Sequence, residues 1–159
     1  MSSKLRQSLM RLDGYQEIEQ EHSDEKDELI RSSGAGVDEI EFKLGAAVFH
    51  GLQIRTAVLT VNNISVSFRF HTAKKAERPK LYAMINSYNK SRVALKAVLG
   101  VVEKDYFEVK FSLEFMCPDD FLNDEIIHPA IKVLRTSGRL LLGSLGGHGI
   151  KIKDAKHND

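Results

Sequence analysis

Six histidines (His22, His50, His71, His128, His148, His157), one cysteine (Cys117) and a knot of carboxylates (Asp119, Asp120, Asp124, Glu125) are the side chains of this 159-residue chain best suited to metal binding or catalysis. Zinc would ask for histidines four apart on a helix or at hairpin spacing, usually with several thiols. No histidine pair here has that spacing, and one thiol is present. The four carboxylates straddle a helix start, where the positive end of the helix dipole favours acids, so a capping role for Asp119 or Asp120 accounts for them without acid-base catalysis. The string Gly143-Ser144-Leu145-Gly146-Gly147-His148-Gly149 resembles a phosphate-binding loop only superficially. It follows a helix rather than a strand and lacks the closing Lys-Ser/Thr pair. Cys117 cannot close an internal disulfide and reads as a small hydrophobe. In Phe68-Arg69-Phe70-His71 the aromatic and basic residues alternate, so in a strand they fall on opposite faces and cannot stack bases together. No local motif of a Ser-His-Asp or Cys-His enzyme is present. The residues therefore predict no catalytic, cofactor or metal site, and a protein that is not an enzyme.

Composition points the same way. With 23 basic and 22 acidic side chains the net charge is +1, which lacks the cationic excess that phosphate backbones reward. No apolar run approaches the length of a membrane span, and the first residues lack a secretory core. The expectation is a cytoplasmic protein with no nucleic-acid or membrane partner. Charge is nevertheless unevenly placed: seven carboxylates lie between Glu17 and Glu28 against Lys26, while Lys74, Lys75, Arg78, Lys80 and Lys151, Lys153, Lys156 form basic runs. Such blocks read first as solvated faces, and second as docking patches.

Periodicity supplies the elements that would position these residues. Leu5, Leu9 and Leu12 at helical spacing predict a first helix stopped by Gly14. The acidic and then Ser/Gly-rich stretch to Gly36 predicts a long flexible insertion, about 19–36, with room for a brief edge strand near Tyr15 to Ile18. Ile40, Phe42 and Leu44 predict a first strand, with Gly45 as a bulge or bend. Leu52, Ile54, Thr56 and Val58 predict the apolar face of a second, and Ile64, Val66, Phe68 and Phe70 that of a third, with Asn62-Asn63 as the turn between them. Pro79 opens a second helix carrying Leu81, Met84, Ile85 and Tyr88, and Asn89 suits the left-handed position after it. Val93, Leu95, Ala97 and Leu99 predict a fourth strand turned by Gly100. From Phe107 to Phe115 every odd residue is apolar and every even one polar, a strand with one buried face. A last helix carries a stripe of Leu122, Ile126, Ala130, Val133, Leu134 and Leu141, with Pro129 forcing a kink or a restart.

The predicted class is α+β: a five-stranded antiparallel sheet with helices on one face, in the order α-β-β-β-α-β-β-α, forming a single domain over residues 1–145 with a disordered tail over 146–159. The helix ending Ile85-Asn86-Ser87-Tyr88-Asn89, followed by a strand, a hairpin, the Tyr106–Phe115 strand and a helix after Pro118-Asp119-Asp120, resembles the YbjN-like regulators, which are similar in fold to type III secretion chaperones. That resemblance implies a cytoplasmic, non-enzymatic bacterial protein that forms a homodimer and binds another protein or its unfolded segment, with no cofactor. A second reading is a small inhibitor or immunity-type protein that blocks an enzyme with its acidic Glu17–Glu28 segment.

Overall fold

In the computed structural model, which describes residues 2–19 and 36–153, one antiparallel sheet runs through the whole domain. Helix α1 (Lys4–Leu9) leads into β1 (Tyr15–Glu17), β2 (Gly36–Leu44), β3 (Ala47–Arg55) and β4 (Thr60–His71). Helix α2 (Arg78–Lys90), strands β5 (Leu95–Val102) and β6 (Tyr106–Cys117) and the long helix α3 (Asp124–Leu145) follow. The sheet order is β1-β2-β3-β4-β6-β5.

The five-stranded sheet and its α-β-β-β-α-β-β-α order are therefore overturned: among the described residues six strands run α-β-β-β-β-α-β-β-α. The added strand, β1, is three residues long, too short for alternation to announce it. It is held by pairing Tyr15 to Leu44 and by stacking the Tyr15 ring on Phe42 at 5.3 Å.

Two turns also move. Gly45 at φ +62° and Ala46 form a two-residue hairpin loop, with Leu44 opposite Ala47, where a bulge or bend was expected. The next turn lies at 56–59, not at Asn62-Asn63. The Thr56 hydroxyl accepts from the Leu59 N–H at 3.2 Å and donates to the Leu59 carbonyl at 2.8 Å. β3 also turns the other way: Leu52 and Ile54, expected on the buried face, lie on the opposite one, while Phe49 and Gly51 face inward. Gly100, expected as a turn, sits in a bulge between Leu99 and Val102 that returns Val102 to the buried face.

Register groups Ile40, Phe42, Phe49, Ile64, Val66, Phe70, Phe107, Val109 and Phe111 on one face, where they form the core. All three helices of the described residues pack there. Leu5 and Leu9 of α1 close over Gly51, Tyr88 of α2 meets Phe111 edge-on at 5.6 Å, and Gly138 of α3 rests on the Phe68 ring. A Cβ on Gly138 would lie 3.1 Å from that ring, so a bare backbone is what lets the long helix approach the sheet. Pro129 neither ends nor restarts α3, which runs continuously past it. Beyond α3 the chain keeps packing. Ile150 is 7% exposed, Ile152 bridges to Thr72, and the Lys153 N–H donates to the His71 carbonyl at 2.9 Å. Most of the expected acidic insertion, and residues 154–159 of the expected tail, lie outside the described residues.

Candidate functional site

Among the described residues no helix covers the outward face of the sheet, and register shows how its side chains line up. Val37 pairs with Ile54, Ile54 with Val61, and Val61 with Met116, so an apolar row crosses four strands in succession. The first three are half-buried by their neighbours, and Met116 is 66% exposed. Val58, in the loop joining β3 to β4, is 81% exposed. Glu39, Leu52, Asn63 and Glu114 form the next row, followed by Glu41, His50, Ser65, Ser112 and Lys96. A shallow cavity of about 290 Å³ lies among Glu39, His50, Leu52, Asn63, Ser65 and Lys110. At the far end Arg69 donates to Glu108 through Nε at 3.0 Å and Nη2 at 2.7 Å, and its guanidinium lies 4.3 Å from the centre of the Tyr106 ring. Apolar at one end and paired in charge at the other, this surface is suited to contact rather than bond making.

The residues singled out for chemistry are scattered. His50 lies on the open face with Nε2 4.0 Å from Glu41, and His71 ends β4 with its ring tilted against Tyr106. His128 sits on α3, 3.1 Å from the Ser8 carbonyl, and His148 lies in a short turn after α3. His22 and His157 fall outside the described residues. Among the described residues no three His, Cys, Asp or Glu side chains cluster as metal ligands would. Cys117 is half-buried at the end of β6, where its carbonyl accepts from the Thr60 hydroxyl.

Neither Asp119 nor Asp120 caps α3, contrary to expectation. Both lie in a separate turn, 119–121, near Lys4, and the cap position belongs to Asn123, which makes no capping hydrogen bond with its side chain. Asp124 instead ties α3 to α1. It accepts from Arg11 at 2.6 and 2.8 Å and from the Ser8 hydroxyl at 2.5 Å, and these bonds hold its carboxyl far below the usual range. The segment Gly143–Gly149 ends α3 and turns back toward the core, with Gly149 at φ +70°. Phe68 and Phe70 face inward against Phe111 and Phe107, and Arg69 faces out.

Sequence reasoning missed a buried polar ladder on the helix-covered face. Gln53 donates to Asn62 at 2.8 Å, Asn62 to the Thr60 hydroxyl at 3.0 Å, and Thr60 to the Cys117 carbonyl at 3.1 Å. Gln53, Asn62 and Thr60 are almost wholly buried. Beside it Arg6 grips Asp38 through Nη2 at 2.6 Å and also holds Glu17. Burial raises the Asp38 carboxyl, but the hydrogen bonds from Arg6 and Ser3 outweigh it and leave the group below its ordinary value. The available signal was that Gln53 and Asn62 interrupt apolar alternation on strands otherwise regular. These groups bond one another and fix the strands, with Gln53 Oε1 left without a partner.

Among the described residues no helix is long and apolar enough to cross a membrane. No family model and no curated protein matches the chain. A solved structure, the crystal structure of "YbjN, a putative transcription regulator from E. coli", aligns over 82% of this chain and 94% of its own at 9% identity, with a TM-score of 0.39.

Proposed function

We propose that this protein is a non-enzymatic binding module that holds another polypeptide on the open face of its sheet. The observation that carries this reading is the row Val37, Ile54, Val61 and Met116, which the three helices of the described residues leave uncovered by packing on the opposite face. An apolar centre with a charged surround is the usual anatomy of a protein contact. The module acts as a homodimer. Support for this comes from α3, where Ile126, Val133 and Leu140 recur every seven residues and are 41%, 43% and 49% exposed, the spacing of a seam between two helices. Glu17, the first carboxylate of the acidic segment, is already engaged by Arg6 and Tyr15, so it is not free to serve as an inhibitory mimic.

Light scattering on the purified protein should give a dimer, and V133E with L140E should give a monomer with an unchanged fold. Cross-linking from a photoreactive residue at position 61 should capture a partner polypeptide in cell extract, and I54K should reduce that capture by about tenfold. A monomeric wild type would remove the dimer from this reading. Capture unaffected by I54K would remove the sheet face.

A further inference from the structure

A second concave feature lies at the other end of the molecule, where the end of β4, the start of α2 and the segment after α3 meet around a cavity of about 360 Å³. Lys74, Lys75, Lys80 and Lys151 line it, together with a single carboxylate, Glu77. That carboxylate is taken, since Lys80 Nζ donates to it at 2.7 Å. Among the described residues Lys74, Lys75 and Lys151 make no ion pair, and although Lys74 attracts Glu77 at longer range, four cations face one carboxylate across the hollow. Glu77 is also the cap residue of α2 and makes no side-chain bond to the first amides of that helix, which leaves the positive end of the helix dipole uncovered.

Thr72 supplies an independent sign that something belongs there. It lines the cavity, is 2% exposed, and is fixed by its N–H bond to the Asp105 carbonyl at 2.8 Å and by its bridge to Ile152. Its Oγ1 nevertheless has no hydrogen-bond partner. A buried hydroxyl left unpaired is costly, and of the four such buried atoms among the described residues, the others being Gln53 Oε1, Tyr88 Oη and Asp119 Oδ1, it is the one that belongs to a residue lining this cavity. Ala76 and Ile150 give the same cavity an apolar wall.

We propose that this cavity binds a small phosphate monoester, its phosphoryl group held by Lys74, Lys75, Lys151 and the Thr72 hydroxyl and its organic part resting on Ala76 and Ile150. Three ammonium groups outside any ion pair favour a dianion over a single carboxylate. The volume lies near the lower end of the range for small-molecule sites, about 300–1,000 Å³, and exceeds what bare phosphate fills. This site shares no residue with the open sheet face, so its failure and the failure of the binding-module reading are separate outcomes.

The test is calorimetric titration of the full chain at low salt with ribose 5-phosphate, inorganic phosphate and ribose. Ribose 5-phosphate should bind saturably with a Kd of about 1 mM or tighter. Inorganic phosphate should bind more weakly and ribose not at all, and affinity should fall as salt is raised. K75Q with K151Q should weaken binding by about tenfold or more. T72V should also weaken it, while raising the melting temperature of the unliganded protein, because it removes an unpaired hydroxyl without changing shape. Absence of saturable binding of either phosphate up to about 20 mM overturns the proposal. So does affinity that neither T72V nor the lysine pair moves, and so does a phosphoserine peptide that binds more tightly than the sugar phosphate.

Discussion

Asp124 and Asp38 hold the two ends of α1, and both carboxyls titrate below their ordinary values in the folded chain. A carboxylate with a depressed folded pKa stabilises the fold fully above its unfolded value, and that contribution is lost as pH falls through the folded one. Unfolded aspartate titrates near pH 3.9, so α1 should stay docked at neutral pH and loosen as pH drops below about 4. Hydrogen exchange should show the amides of α1 losing protection ahead of those of β4 on acidification, and equal loss in both would contradict this. D38N should cost about 1 kcal/mol after solvent screening is allowed for, and should blunt that pH dependence. Asn62 belongs to the same scale. Its tolerance of positive φ made it read as a turn residue, yet its amide joins Gln53 to Thr60 in the interior. Local propensity was outweighed by a partner nine residues away, which only the fold brings near. N62A should cost about 2–3 kcal/mol in urea unfolding, because it strands the Gln53 amide in a dry interior.

At the scale of the element, α3 was legible in its existence but in neither its start, Asp124 rather than a cap at Asp119 or Asp120, nor its rotation. Ile126, Val133 and Leu140 on one flank and Ile127, Ile131, Leu134 and Leu141 on another both satisfy a helical period, and periodicity alone cannot choose between them. The sheet chooses the second set by admitting Gly138 against Phe68. G138L should therefore cost about 2–3 kcal/mol through overpacking, despite the better helix propensity of leucine, and L140A should cost far less. Strand β6 was fully legible, because its strict alternation matches what register confirms: Phe107, Val109 and Phe111 are buried, and Glu108 and Lys110 point away. Asn89 was misread. Instead of following α2 it lies within it, where its amide donates to the Ala97 carbonyl at 2.9 Å and accepts from the Ala97 N–H at 2.8 Å. That pair of bonds stands in for a neighbouring strand on the outer side of β5. N89A should cost about 1–3 kcal/mol and speed exchange of the Ala97 amide.

Across the molecule, the decisive asymmetry is between the two faces of a single sheet. F49A, on the helix side, should cost about 3–5 kcal/mol, whereas I54K, five residues along the same strand on the open side, should change stability by about 0.5 kcal/mol or less. Chemical denaturation of the two variants checks this, and comparable losses would mean that the open face is not free. The sequence made the existence of a covered and an uncovered face plain through β6. It could not place Ile54 and Leu52 on the right one, because β3 carries apolar residues on both faces, Phe49 inward and Leu52 and Ile54 outward, so alternation there marks no buried side.

The seal that Asn89 places along β5 has a consequence for how copies of this chain can associate. A lateral ribbon, each sheet continuing into the next, needs bare backbone at both flanks, and here the Ala97 groups of one flank are taken by an amide while a segment of three residues covers Phe42, Lys43 and Leu44 on the other. Open-ended fibre growth is thereby disfavoured, and self-association is steered toward closed assemblies of fixed number.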